Sequence, residues 1–252
     1  MEYKMIKNNR IWILLILLLA VPRLIVAEAI VNIEDMRREN EIGFFTSISL
    51  ALSASRGNNV SDAISAQIRF DNNTDRYDSF LVIKKDERKT NTVKWNDATM
   101  AHARFVLKNE SIYDLEMFVQ HGKNPFRRYL QRDVIGVGTR ITINDNARLG
   151  LGLLSENEED LNQLTIRTQR LASYYHNDYE VFENIGFNLT LYYQPSLSSS
   201  EDFKASVIGA LDFKVNEKFK VTLQYNTFYD SRPPATAMKR DEGIATNFSY
   251  SF

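Results

Sequence analysis

The chain has 252 residues, of which 44% are hydrophobic, 12% aromatic and 25% charged, and its formal net charge is -1. This near-neutral balance argues against a nucleic-acid partner, because phosphate backbones are bound by basic surfaces. The sequence contains no Cys, which excludes a disulfide, a Cys-ligated zinc site, a thiol nucleophile and a lipid anchor attached to Cys.

Residues 1–29 have the layout of a secretory signal peptide. A basic segment precedes an apolar run over residues 11–21, and Ala27 and Ala29 supply the small residues of a cleavage site. The run is too short for a transmembrane helix, which needs roughly 20 apolar residues. We therefore predict export, cleavage after Ala29 or Ala27, and one domain over residues 30–252.

The remaining chain consists of segments in which apolar and polar residues alternate. Successive side chains of a strand point to opposite faces, so each segment predicts a two-faced β-strand. About twelve segments have the length of a strand tilted across an outer membrane. They are Phe44–Ser55, Asp62–Phe70, Tyr77–Lys85, Thr99–Lys108, Ile112–Gln120, Asp133–Ile143, Arg148–Leu154, Leu164–Tyr174, Val181–Gln194, Phe203–Val215, Phe219–Asn226 and Gly243–Phe252.

The connections between these segments alternate in length. The turns "KNES", "NDNA" and "NEK" are short, whereas "KDERKTNTVKWND", "GKNPFRRYLQ", "SENEEDLNQ", "PSLSSSED" and "DSRPPATAMKRDE" are long and polar. Short periplasmic turns and longer outer loops are typical of an up-and-down membrane barrel. We predict an all-β, transmembrane antiparallel up-and-down β-barrel, with a soluble β-sandwich as the alternative.

The final stretch "NFSYSF" places Phe248, Tyr250 and Phe252 on one face of the last predicted strand. In a membrane barrel this face meets lipid, and the strand must pair with the first strand because unpaired backbone groups are costly in hydrocarbon. We interpret the three aromatic residues as an assembly signal. The predicted partners are outer-membrane lipid and the barrel-assembly machinery, with no nucleic acid.

Four stretches mark a family resemblance: "IVNIEDMRREN", "ALSASRGNN", "EMFVQHGKNPFRRYLQRDVIGVGTRI" and "TFYDSRPPATAMKRDEGIATNFSYSF". In order and spacing they resemble the salt-induced outer-membrane-protein family, also called domain of unknown function 481. The resemblance implies an integral barrel of the bacterial outer membrane and no established biochemical activity.

Charged residues that alternate with the apolar ones are predicted to face the barrel interior. Cross-strand pairing is available to them, for example between Glu116 and Arg104. They either pair and fill the lumen or form a constriction that selects solutes, and barrel size favours a packed or narrow lumen. The predicted lumen charges are Arg69, Arg104, Lys108, Asp114, Glu116, Arg140, Arg148, Lys204, Asp212, Lys214 and Lys220, beside the neutral His102.

Signals for catalysis or metal binding are weak. His176 and Asp178 in "YHND" could activate water, but they lie near a predicted turn, where such side chains are usually solvated. The chain has no G-x-S-x-G motif, and no two His have a metal-binding spacing. We predict that the protein is not an enzyme and has no cofactor and no metal.

The sequence therefore predicts a structural or stress-linked envelope protein. A narrow pore for small hydrophilic solutes or ions is the first alternative, and an outer-membrane hydrolase is the second.

Replacing Phe252 by Ser should lower the amount of folded protein in the outer membrane far more than it destabilises the barrel refolded in detergent. The reason is that the last strand must be recognised during assembly and must leave no open sheet edge. Semi-native gels of outer-membrane fractions measure the folded share, with Ser251→Ala as the silent control. Normal assembly of the Phe252 variant contradicts the proposed signal.

Overall fold

The computed structural model describes residues 33–34, 37, 42–55, 61–91, 93–109, 111–216 and 219–250. The predicted signal peptide and Phe252 lie outside these residues. For Phe248 and Tyr250 only the backbone is described, in register with Val221 and Phe219. No helix within the described residues is both long and apolar enough to cross a membrane.

The structure confirms an all-β antiparallel fold in which twelve strands pair in chain order. The only helical element given for the described residues is a short 3-10 turn over Pro125–Arg127, where the Asn124 side chain accepts hydrogen bonds from two backbone amides. The strands are β1 Gly43–Ser55, β2 Ser61–Asn73, β3 Tyr77–Thr90, β4 Val93–Leu107, β5 Tyr113–Asn124, β6 Tyr129–Thr142, β7 Ala147–Asp160, β8 Thr165–Phe182, β9 Ile185–Pro195, β10 Phe203–Lys214, β11 Phe219–Asp230 and β12 Arg240–Tyr250.

Side chains from distant strands meet inside the sheet, which is therefore curled into a barrel. Arg127, between β5 and β6, lies 3.1 Å from Asp241 of β12 and stacks over the ring of Phe228 of β11 at 4.5 Å. The edge strands β1 and β12 share no hydrogen-bonded ladder among the described residues. Contacts across the interior therefore hold the β12 edge against the β5–β6 side of the barrel.

The two faces of each strand differ in polarity as the alternation predicted. On β5, Leu115, Met117 and Val119 point outward and are 50–56% exposed, whereas Glu116 between them is 7% exposed. An apolar exterior with a charged interior is the reverse of the arrangement in a soluble protein, and it is typical of a transmembrane barrel. The outward side chains are stable where they meet hydrocarbon rather than water.

Aromatic side chains gather on the outward face near both ends of the strands. Such rings suit the membrane interface because an apolar ring carries a polar tip. The apolar residues between the two groups mark the band that hydrocarbon would cover. The ring pairs in contact are Tyr77–Phe105 and Tyr179–Phe187 at the end with the shorter turns, and Tyr193–Phe203 and Phe203–Tyr229 at the other end.

In β3 the stretch "FLVI" over residues 80–83 interrupts the alternation of apolar and polar residues, and packing explains why. Phe80 and Val82 of β3 point inward and are buried, while Leu81 and Ile83 point outward. The Phe80 ring stacks on His102 at 5.8 Å and lies under the guanidinium of Arg69 at 4.9 Å. Because the interior accepts these apolar groups, both faces of β3 are hydrophobic here.

Several predicted outer loops are wrong, since the chain continues as strand through them. β3 and β4 extend to Thr90 and Val93, so most of "KDERKTNTVKWND" is a hairpin, and β7 includes the acidic stretch up to Asp160. Cross-strand ion pairs such as Lys94–Glu87 at 3.3 Å follow the extended ladder. Polar strand ends can project beyond a membrane and keep their backbone pairing, so polarity alone did not mark a loop.

Leu223→Arg should reduce the free energy of unfolding by roughly 2–4 kcal/mol if Leu223 lies near the middle of the membrane, because its outward position would then place a cation in hydrocarbon. Gln224→Arg, on the inward face of the same strand, should cost much less. Urea midpoints of the refolded variants in lipid bilayers measure the difference. Equal midpoints would show that the two faces of β11 are wrongly assigned.

Candidate functional site

The predicted lumen charges fall into three groups by burial. Lys108, Asp114, Arg148 and Asp212 are partly exposed, and Lys214 and Lys220 are exposed near the end with the shorter turns. Lys220 lies 3.5 Å from Asp212, and Lys108 lies 2.8 Å from Asp78. The buried ones are Arg69, Arg104, Glu116, Arg140 and Lys204.

A single carboxylate gathers three cations in the barrel interior. The carboxylate of Glu156 on β7 accepts hydrogen bonds from Arg132 of β6, from Arg170 of β8 at 2.8 Å and from Lys204 of β10 at 2.5 Å. All four side chains are at most 5% exposed. We call these four residues the Glu156 cluster, and it links strands that are not neighbours in the sheet.

Further acids surround the Glu156 cluster and balance its positive charge. Glu158 lies 3.1 Å from Lys204, and Asp202 lies 2.9 Å from Arg170. Asp230 of β11 lies 3.7 Å from Lys204. The barrel is thus cross-linked by ion pairs from β6 to β11 on the side that carries the longer loops.

A second ionic group involves a segment that precedes the first strand. Arg37 pairs with Glu34 at 3.1 Å and with Glu116 of β5, which also pairs with Arg104 of β4. Glu34 in turn pairs with Arg140 of β6 at 3.0 Å. We call these five residues the Glu34 cluster. It brings together three predicted lumen charges and two residues that were not predicted.

Ile33 anchors the same segment in the apolar part of the lumen. Its side chain is 4% exposed and packs in one cluster with Tyr174, Tyr192 and Ile208. The backbone amide of Ile33 donates to the Tyr192 hydroxyl at 3.0 Å. The segment is therefore held in the interior by apolar contacts as well as by charge.

The space left between these groups is small. A cavity of about 70 Å³ is lined by Ile33, Arg104, Glu116 and other inward residues. His102 Nε2 and Gln194 Oε1 also border it and have no hydrogen-bond partner among the described residues. A polar cavity of this size has room for a few water molecules. This cavity therefore excludes a larger solute.

The predicted His176–Asp178 pair is present on strand β8, where Asp178 is 63% exposed as expected but His176 is buried. His176 is an inward residue of β8, with Nδ1 2.8 Å from the Thr190 hydroxyl and Nε2 3.1 Å from Asp178. Thr190 has no exposed surface. A nucleophile must be reachable by its substrate, so this buried hydroxyl does not form an accessible catalytic site. Among the described residues, no group of three or more His, Asp or Glu is placed to hold a metal ion.

Sequence reasoning missed the residues on which the two ionic clusters depend. Glu156 was assigned to a loop, Arg132 and Arg170 were not included, and Glu34 and Arg37 lie before the first strand. Buried acids such as Glu156 and Asp71 offset the excess of cations in the predicted set. The buried charges are therefore more nearly balanced than the predicted set alone suggests.

Glu156→Gln should lower the free energy of unfolding by about 3–5 kcal/mol, because it leaves three buried cations without their shared charge. Glu201→Gln is the control, since Glu201 pairs with Arg232 in a solvent-exposed ion pair worth about 0–1 kcal/mol. Urea midpoints of refolded protein compare the two. Equal effects would show that the Glu156 cluster contributes no more than a surface pair.

Comparison with solved structures gives barrels of low sequence identity. The translocator domain of the autotransporter NalP from Neisseria meningitidis has a TM-score of 0.50 at 10% identity, over 87% of this chain and 92% of that chain. The NanC porin has a TM-score of 0.49 at 8% identity, over 82% and 99% of the two chains. The KdgM porin has a TM-score of 0.45 at 11% identity, over 83% and 99%. The first of these likenesses shows a common fold and nothing about activity.

Comparison by sequence gives one family and no curated relative. No curated protein matches the chain. A family model described as a protein of unknown function, DUF481, matches residues 48–252. The name "salt-induced" stays a prediction. The match includes every strand from within β1 to β12, and the chain therefore belongs to the DUF481 family of proteins of unknown function.

Proposed function

We propose that the protein is an integral outer-membrane barrel with a closed lumen, and that it serves the envelope as a structural component rather than as an open diffusion pore. The outward apolar face and the two groups of outward aromatic rings support a membrane location. The predicted signal peptide and the final aromatic residues agree with export and barrel assembly.

The observation that carries this proposal is the pair of ionic clusters in the interior, centred on Glu34 and Glu156. Residues of both clusters line a cavity of about 70 Å³. A conducting lumen needs a continuous polar path wide enough for its solute. Moreover, the buried ion pairs tie together strands from β4 to β10, which suits a rigid element of the envelope.

A narrow pore is the second candidate, and one observation favours it. The segment with Ile33 and Glu34 occupies part of the lumen. It precedes β1 and is not one of the strands that form the barrel wall. A closure supplied by a separate segment can open without breaking the sheet. The predicted hydrolase receives no such support, because the hydroxyl beside His176 is buried.

Purified protein in a planar bilayer should give no steady ohmic current, because both ionic clusters obstruct the lumen. The double variant Arg140→Ala/Glu156→Ala should produce conducting events, since it removes bulk from both clusters and leaves the net charge unchanged. Single-channel recording measures both proteins.

Glu201→Ala/Arg232→Ala is the matched control, because it also removes one acid and one base, but from an exposed pair. It should behave as the unmodified protein does. A steady current through the unmodified protein would refute the closed lumen and establish the pore.

A further inference from the structure

The wall of the lumen binds the carboxylate of Glu34 as it would bind a ligand. Arg140 donates from Nε to one carboxylate oxygen at 3.2 Å and from Nη2 to the other at 3.0 Å. The Tyr174 hydroxyl donates to Glu34 at 2.7 Å. A two-pronged guanidinium contact with an added hydroxyl is a strong and geometrically specific way to recognise a carboxylate.

The groups that bind this carboxylate belong to the barrel itself. Arg140 lies on β6 and Tyr174 on β8, 106 and 140 residues away from Glu34 in sequence. The Tyr174 ring lies over Gly150, which is its partner in the β7–β8 ladder. A Cβ atom on Gly150 would lie 1.8 Å from the Tyr174 ring, so only Gly lets the ring lie there. The site is thus formed by the wall, and the chain supplies its occupant from outside the wall.

One neighbouring ion pair is complete without Glu34. Arg104 and Glu116 pair with each other on adjacent strands. The carboxylate of Asp114 on β5 lies 4.0 Å from the Arg140 guanidinium, beyond hydrogen-bond length. The two donors that Arg140 directs at Glu34 are therefore matched to a carboxylate that is not part of the wall.

Glu34 occupies this position as an anion. Burial acts to raise the pKa of Glu34, but the charges of Arg37 and Arg140 outweigh it and lower the pKa to about 2. The side chain is therefore ionised at any physiological pH, and a mild change of pH does not release it. Only another carboxylate that competes for the same donors, or a movement of the segment, can replace it.

We propose that Arg140 and Tyr174 form a binding site for the carboxylate group of a small organic acid, and that Glu34 fills this site as an internal ligand. The adjoining cavity of about 70 Å³ limits the acid to a small one while Ile33 remains in place. This site goes beyond the proposed structural role, because it binds its ligand whether or not the lumen conducts.

Acetate should restore the stability that is lost when Glu34 is shortened to Ala. The test measures the thermal midpoint of refolded, detergent-solubilised protein, in sodium acetate and in sodium chloride of equal ionic strength. We expect Glu34→Ala to melt lower than the unmodified protein and to recover in acetate, with a saturable dependence on its concentration. The unmodified protein should respond equally to both salts, because its site is already filled.

The double variant Glu34→Ala/Arg140→Gln provides the control, since it lacks the guanidinium and should show no preference for acetate. Asp212→Ala, which removes a lumen acid beside the half-exposed Lys220, should show none either. The proposal is refuted if Glu34→Ala responds alike to both salts, or if the double variant responds as the single variant does. If Glu34→Ala does not refold, Glu34→Gln decides by the same titration, because a neutral amide binds Arg140 more weakly than acetate does. None of these readouts depends on current through the lumen, so they are independent of the bilayer test.

Discussion

A carboxylate withdrawn from water is stable only where cations and donors replace its hydration shell, and Glu156 meets this requirement with groups from three other strands. Arg132, Arg170 and Lys204 converge on it from β6, β8 and β10. The same requirement is met elsewhere in the interior, where the buried acids Asp71, Glu116 and Asp230 lie next to the buried bases Arg69, Arg104 and Lys204. Strands that share no backbone hydrogen bonds are thereby fixed relative to one another, and the barrel has a defined interior.

Glycines in the barrel wall leave space for the aromatic rings of neighbouring strands. The ring of Tyr174 lies over Gly150, and the ring of Phe118 lies where a Cβ atom on Gly136 would be only 2.3 Å away. Aromatic rings therefore lie against the wall and leave the axis to the charged groups. This arrangement brings the Tyr174 hydroxyl within hydrogen-bond distance of Glu34. The packing of Tyr174 against Gly150 therefore also supplies a donor to the candidate binding site.

The position of the Glu34 segment connects the structural role with the inferred site. Ile33 and the ion pairs of Glu34 and Arg37 hold the segment in the lumen, yet none of these residues is in a strand. Its interactions with the wall are non-covalent contacts of the kind that a solute could also make. A closed barrel and a barrel that binds a small acid are thus compatible descriptions of one molecule.

The alternation of apolar and polar residues was enough to predict the number of strands, their chain order and most of their outward faces, because a period of two is a local property of an extended chain. It also assigned Arg104, Glu116, Arg140 and Lys204 to the inward face. Alternation could not predict that β7 continues through its acidic residues, nor that Glu156 collects three cations, because both depend on neighbours supplied by other strands. The placement of Glu34 against Arg140, 106 residues away, was decided only by the tertiary structure. Contacts across a lumen depend on the curvature and register of the whole barrel, and no local pattern encodes them.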